Sequence, residues 1–284
     1  MSAAIPKLAP SAAGVAQIAQ RARSASRLLA KLTSQQRNEV LLAVADAIEQ
    51  AKERILEANA ADCRAAAPLV DAGKMSSAML ARLGDQRKLN QMPAYVRSVA
   101  SLPDPLGRRL AATELDDGLT LYKESCPLGV IGVVFESRPE VNSQVAALTL
   151  KSGNAVILKG GSEAARTNEI IVSTWRECVG KFPAVPPDAI QLLHSREEFT
   201  ELLQRDRDVD LIVPRGSYEL VHVVMRNSSI PVLGHGEGIC HTYVDAAADL
   251  DKAVKVTFDA KVQGPAICNA TETLLVHQAV AKEF

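Results

Sequence analysis

Two residues have the type and setting that chemistry asks for. Cys268 stands in "GPAICNATET", with Gly264 and Pro265 before it and Asn269 after, in a loop ahead of the strand "TLLVH". A thiolate is a strong nucleophile near neutral pH when local dipoles lower its pKa. Lys159 ends the apolar run "NAVILK" and is followed at once by Gly160 and Gly161. A cation there can reach phosphate or ribose oxygens, and the paired glycines let a ligand approach the backbone closely. Each has a plainer reading. Spacing alone favours a small buried hydrophobe for Cys63, Cys126, Cys178, Cys240 and Cys268 alike. Lys159 can equally be a lysine snorkelling at a strand end.

The neighbours add conditions. Ser162 and Glu163 follow the glycines. A small hydroxyl in a ribose site admits a 2′-phosphate, whereas a carboxylate repels it, so the register of Glu163 matters. His277 ends the strand after Cys268 and leaves a Cys–His dyad open. The common phosphate and metal signatures are missing: no Gly-x-Gly-x-x-Gly follows a strand, Gly73-Lys74 and Gly180-Lys181 lack the Ser or Thr of a P-loop, and neither CxxC nor HExxH occurs. No metal site is expected.

Positioning these residues requires a sheet. From Val130 the pattern alternates strand and helix: "VIGVVF", a helix near 139–151 stopped by Gly153, "NAVILK", a helix near 164–179, "AIQLL", a short helix after Ser195, "VDLIV" and a helix from Tyr218. Apolar strands without strict alternation predict a parallel α/β sheet covered on both faces, doubly wound, with ligands beyond the strands' carboxyl ends at "ESRP", "KGGSEA" and "PRGS". Tight strand-to-helix turns explain those loops about as well.

Before the sheet comes helix upon helix. From Thr33, Val40, Leu41, Val44, Ile48, Ile55 and Leu56 recur at helical spacing, while Arg37, Glu39, Asp46, Glu49, Lys52 and Glu53 fall on the expected solvated face. Asp117-Gly118 joins two short alternating runs into a hairpin, either an arm pairing with another subunit or a simple surface hairpin. The expected division is 1–102 with 123–230 as a cofactor-binding domain, 103–122 as the arm, and 231–284 as the start of a second domain.

Composition bounds the partners. With 284 residues, 47% hydrophobic, the chain can bury a core of roughly two-domain size. Thirty-two basic against thirty-three acidic residues give a net charge of −1, and aromatics are only 4%, so nucleic acid is not an expected partner. No apolar run is long enough to span a bilayer, and five widely spaced cysteines without a secretory leader point to a reducing cytoplasm.

The segments "PLGVIGVVFESRPEVNSQVAALTLKSGNAVILKGGSEA", "DLIVPRGS", "GHGEGICHTYVD" and "CNATETLLVH", with "LTSQQRNEVLLAVADAI" earlier, closely resemble the gamma-glutamyl phosphate reductases of the aldehyde dehydrogenase superfamily. The resemblance covers essentially the whole chain. It implies a nucleotide-binding domain interrupted by an arm, a catalytic domain with a nucleophilic cysteine, and an oligomerisation element. The implied reaction, in proline biosynthesis, is NADPH-dependent reduction of L-glutamate 5-phosphate to L-glutamate 5-semialdehyde and phosphate through a cysteine thioester.

Residue by residue, Cys268 matches the family nucleophile and Asn269 or the Cys268 N–H can donate to an oxyanion. Lys159 matches the cofactor lysine, with Gly160 and Gly161 beside it. Ser162 falls where NAD-preferring relatives place a glutamate, which favours NADP(H). Gly216 and Ser217 match the loop beside the pyrophosphate and nicotinamide. Ser137 falls where an oxyanion asparagine is found, and Arg138 can bind substrate phosphate or carboxylate; turn roles for both are about as well supported. Hydrolysing relatives carry a glutamate base where Gly234 stands, and its loss suits reduction, unless Glu237 takes the place. The resemblance also implies a homo-oligomer, contact with the upstream glutamate kinase, and chain continuing past Phe284, so residues 1–284 alone are expected to be poorly active or aggregation-prone. A hydrolysing aldehyde dehydrogenase and a non-catalytic nucleotide-binding module are the competing readings.

Overall fold

The computed structural model describes residues 14–234, 236, 238–265 and 267–284. The chain divides into two compact units between Gly234 and His235.

The first unit opens with five helices: α1 (Val15–Leu29), α2 (Ser34–Gln50), α3 (Lys52–Asp71), α4 (Ser77–Leu83) and α5 (Gln86–Ser101). A capping box starts α2, with Thr33 Oγ1 accepting from the Gln36 N–H and the Gln36 side chain accepting from the Thr33 N–H. Val40, Leu41, Val44, Ile48 and Ile55 face the core as their spacing requires. Arg37 departs from expectation. It is 2% exposed, donating to the Leu32 carbonyl and pairing with Asp104 at 2.6 Å, so the helix buries a cation on the face predicted to be solvated.

A hairpin follows, β1 (Arg109–Asp116) and β2 (Leu119–Glu124), antiparallel about Asp117-Gly118, with every strand residue exposed. Gly118 takes the left-handed φ of +75° that such a tight turn demands. The Arg109 guanidinium lies 3.9 Å from the centre of the Tyr122 ring.

The sheet holds β3 (Val130–Phe135), β4 (Ala155–Lys159), β5 (Ile190–Leu192) and β6 (Leu211–Arg215), all parallel in the order β5-β4-β3-β6. Every residue of β3 is buried, as an unbroken apolar run between two neighbouring strands should be. The crossovers are α6 (Val141–Lys151), α7 (Ala165–Val179) and α8 (Arg196–Leu202), and α9 (Tyr218–Asn227) follows β6. At the amino ends of β3 and β6, Asp210 accepts from the Val130 N–H at 2.7 Å and pairs with Arg23 at 2.8 Å, tying α1 to the sheet. The opposite, carboxyl ends carry the predicted loops.

The second unit is one strand–helix–strand piece: β7 (Cys240–Val244), α10 (Leu250–Val262) and β8 (Thr271–Val276), the two strands parallel. Asp249 caps α10 by accepting from the Lys252 N–H at 3.1 Å. Within this unit Val244, Ala270 and Thr271 are buried, while α10 buries none of its residues.

Candidate functional site

From β3 the chain steps outward to β4 and β5, then returns to the other side of β3 for β6. In open α/β sheets the crevice beyond the carboxyl ends at such a reversal is where ligands sit. Three loops meet there, led by Glu136-Ser137, Lys159-Gly160-Gly161 and Gly216-Ser217.

Two carboxylates stitch these loops together. Glu136, the first residue after β3, accepts from the Ser217 N–H at 2.9 Å, joining the β3 loop to the β6 loop. Glu163 sits in a single 3-10 turn, Ser162–Ala164, and its Oε1 accepts from both the Ser137 N–H at 2.7 Å and the Ser137 hydroxyl at 2.8 Å. Ser137 is fully buried and is the one non-glycine among the described residues with a left-handed backbone, φ +46°. That conformation costs energy for a residue with a Cβ and persists where surrounding bonds fix it. Both donors of Ser137, the residue at the position of the family's oxyanion asparagine, are thus committed to Glu163.

A second layer holds the first. Asn142 Nδ2 donates to the Pro139 carbonyl at 2.9 Å and to Asn168 Oδ1 at 2.7 Å, and Asn168 Nδ2 donates to the Gly161 carbonyl at 3.3 Å. Behind them the buried Asp62 of α3 accepts from the Thr167 N–H and hydroxyl at 2.8 and 2.7 Å, pinning the start of α7. The two glycines are explained by this layer. A Cβ on Gly160 would fall within the Asn168 carboxamide, and one on Gly161 within the Glu163 carboxylate. The close approach expected from a ligand is made by the chain's own side chains.

Lys159 ends β4 half-buried, donating to the Gly160 carbonyl at 2.7 Å. Burial pulls its ammonium below the usual lysine range, while the Glu163 carboxylate works against that. Ser162 and Ser217 are exposed, and Ser217 Oγ caps α9 by accepting from the Leu220 N–H at 3.4 Å. Arg138 is half-buried and accepts at its carbonyl from the Val141 N–H. The neighbouring Glu140 carboxyl is pushed up by burial and drawn back by Lys88, 3.8 Å away, and by Arg138. A partly desolvated cation and an exposed hydroxyl near it, with the adjacent carboxylate turned onto Ser137, can meet an anionic ligand group.

In the second unit Cys268 lies exposed in the turn that leads into β8, so the buried-hydrophobe reading fails for it, as for exposed Cys126; among the five only Cys178 is buried. Cys240 Sγ lies 3.5 Å from the Cys268 carbonyl, and a Cβ on Gly238 would stand 2.7 Å from that oxygen, so Gly238 crowds the Cys268 backbone. Asn269 is exposed beside it. The Cys–His dyad is not formed: His277 follows β8 at the end opposite Cys268, six strand residues or ~20 Å along. His277 instead accepts at Nδ1 from the Ala279 N–H. Glu237, the alternative base, and His235 lie outside the described residues. Among the described residues no cluster of His, Cys, Asp and Glu could hold a metal, and no helix is long and apolar enough to cross a membrane.

Sequence reasoning missed Glu136, Asn142 and Asn168 and left Glu163 undecided. Glu136 alone carried a signal, a carboxylate directly after a wholly apolar strand.

A family model described as the aldehyde dehydrogenase family matches residues 5–284. The chain is 53% identical over 264 residues to a protein of Haloquadratum walsbyi named gamma-glutamyl phosphate reductase, covering 93% of this chain and 57% of that one. It is 50% identical to the protein of the same name from Nostoc punctiforme, covering 94% of this chain and 60% of that one. It thus spans 57 to 60% of the length of these relatives. Among solved structures, gamma-glutamyl phosphate reductase of Thermotoga maritima superposes with a TM-score of 0.87 at 34% identity, covering 96% of this chain and 65% of that one. Glyceraldehyde-3-phosphate dehydrogenase GapN of Methanocaldococcus jannaschii, complexed with NADP, shares the fold at a TM-score of 0.64 and 17% identity, covering 95% and 56%.

Proposed function

The chain belongs to the aldehyde dehydrogenase family, and on that premise we propose that it reduces L-glutamate 5-phosphate to L-glutamate 5-semialdehyde, releasing inorganic phosphate, with NADPH as coenzyme. The observation that carries the reading is an exposed Cys268 at the head of β8, in a chain half-identical to the reductases over nearly its whole length.

An acyl phosphate has a good leaving group, so Cys268 Sγ needs little acid assistance. Its thiolate adds to the acyl carbon, the carbon–oxygen bond to phosphate breaks, and a thioester remains on Cys268. The Cys268 N–H and the Asn269 carboxamide are the donors assigned to the oxyanion formed at that carbon. NADPH, when bound, supplies the hydride that the thioester carbonyl accepts. The thiolate of Cys268 then departs as the aldehyde is released. Lys159 and Ser162 are assigned to the coenzyme's ribose and phosphate, Gly160, Gly161, Gly216 and Ser217 to the walls of its crevice, and Arg138 to an anionic group of the substrate. A cytoplasmic homo-oligomer, the β1–β2 hairpin reaching a second copy, and a contact with the kinase that makes the acyl phosphate complete the proposal.

The test is run in reverse with the complete protein: NADP reduction by glutamate 5-semialdehyde, with and without phosphate. Strict phosphate dependence is expected, and Cys268→Ala should abolish turnover while leaving NADPH affinity unchanged. Robust oxidation without phosphate, or turnover surviving in Cys268→Ala, overturns the proposal.

A further inference from the structure

Glu163 follows Ser162 directly, yet the two are disposed oppositely: Ser162 is exposed, whereas the Glu163 carboxylate lies back over Gly161 and receives both donors of buried Ser137. Even held there, the Glu163 carboxylate works against the burial that lowers the Lys159 ammonium's pKa. A carboxylate free to swing outward from this turn would stand among the same groups that meet the coenzyme, and would repel a phosphate there. We propose that Ser137 is a positioning residue for coenzyme choice: by holding Glu163 with its N–H and hydroxyl, it keeps the carboxylate from swinging outward beside exposed Ser162 and leaves that place open to a 2′-phosphate.

The left-handed backbone at Ser137 is part of the device. With φ at +46°, its N–H and Oγ converge on one carboxylate oxygen. Two charge-assisted bonds to one oxygen restrain Glu163 more firmly than either alone. The loop after β3 thereby sets the charge presented by the loop after β4, although the two residues are 26 positions apart. This inference rests on the NADPH reading above, and its experiment separates the two.

The readout is the ratio of dissociation constants, NADH over NADPH, measured by nucleotide fluorescence on the complete protein without substrate. Ser137→Gly suits a positive φ and keeps the N–H, so it removes only the hydroxyl bond. It should lower the ratio by about fivefold, chiefly through weaker NADPH binding, the scale of one carboxylate released near a phosphate. Ser137→Ala should act in the same direction. Adding Glu163→Gln to Ser137→Gly removes the charge and should restore the ratio, a rescue that damaged packing would not show. Melting followed by circular dichroism checks that each variant is folded. An unchanged ratio in both Ser137 variants, or no recovery on adding Glu163→Gln, overturns the inference while leaving the NADPH reading standing. A wild-type protein indifferent to the 2′-phosphate overturns that reading and the inference with it.

Discussion

Gly160→Ala separates two reasons for a glycine just beyond β4, where the coenzyme is proposed to bind. If the glycine serves only the ligand, the substitution weakens coenzyme binding and leaves the fold alone. The structure assigns it a different duty, because the new Cβ would fall within the carboxamide of Asn168, a side chain only 3% exposed. To make room Asn168 must turn, giving up its bonds to Asn142 Nδ2 at 2.7 Å and to the Gly161 carbonyl at 3.3 Å. Asn142 can ill absorb the loss, since its own Oδ1 is buried with no partner. Each buried polar group left unpaired costs ~1–3 kcal/mol. Against this, alanine gains ~0.4–1 kcal/mol by restricting the unfolded chain, the backbone of Gly160 lying outside the left-handed region. The net expectation is destabilisation by about 2 kcal/mol. Urea unfolding followed by the fluorescence of Trp175 reads it directly, because this single tryptophan is buried in α7 and donates to Ser143 Oγ at 3.0 Å. In an Asn168→Ala background the same substitution should cost under about 0.5 kcal/mol, since the obstructing carboxamide is gone. Equal costs in both backgrounds, or a stability loss near zero with NADPH affinity abolished, would refute the packing argument.

Two cations taken out of water, Lys159 and Arg37, carry the remaining expected outcomes. Burial holds the Lys159 ammonium below its ordinary value of 10.5, so NADPH affinity should fall as pH rises through that lowered pKa, earlier than for a free lysine. Lys159→Arg should move that limb upward, and Lys159→Ala should remove it with roughly tenfold or greater loss of affinity at neutral pH, both read by fluorescence titration. The sign for stability is opposite: a buried ammonium penalises the fold below its lowered pKa, and the penalty fades toward 10.5, so Lys159→Met should raise the melting temperature at pH 7 but not at pH 10.5. At Arg37, Asp104→Ala leaves a cation only 2% exposed without its 2.6 Å partner. It should cost about 2–3 kcal/mol in the same urea assay, most of it recovered by adding Arg37→Met.

The first unit's fold was legible wherever one short-range rule governed. An unbroken apolar run has only one stable place, the inside of a sheet, and β3 and β4 are there. Thr33 and Gln36 carry the start of α2 within four residues, and Asp117-Gly118 carries the hairpin turn. Arg37 shows where such rules stop. Helical spacing puts it on the polar side, but a long guanidinium can be buried when two acceptors reach it, and one of them, Asp104, lies 67 residues away. No periodicity encodes that pairing.

The candidate site divides the same way. Lys159, Ser162 and Cys268 could be singled out because what marks them is local, a cation or hydroxyl at a strand end and a thiol in a polar turn, with the family resemblance supplying the roles. What fixes the loops could not be found so, because it depends on strand order. Glu136 and Ser137 are adjacent, yet one reaches the β6 loop, 81 positions away, and the other the β4 loop, 26 positions away. That split is possible only because β3 lies between β4 and β6, a fact of the order β5-β4-β3-β6 that no stretch of sequence states. Once that order is known the two carboxylates acquire a joint meaning. Glu136 and Glu163 each neutralise backbone donors at a crevice otherwise well suited to anions, so the anion that enters must do better than an internal carboxylate at every place it displaces one. At the β4 loop the carboxylate is tied to Ser137 and Lys159 donates to the Gly160 carbonyl, and under the proposed reading a coenzyme phosphate need displace only the weaker of these, the lysine's bond to a neutral carbonyl.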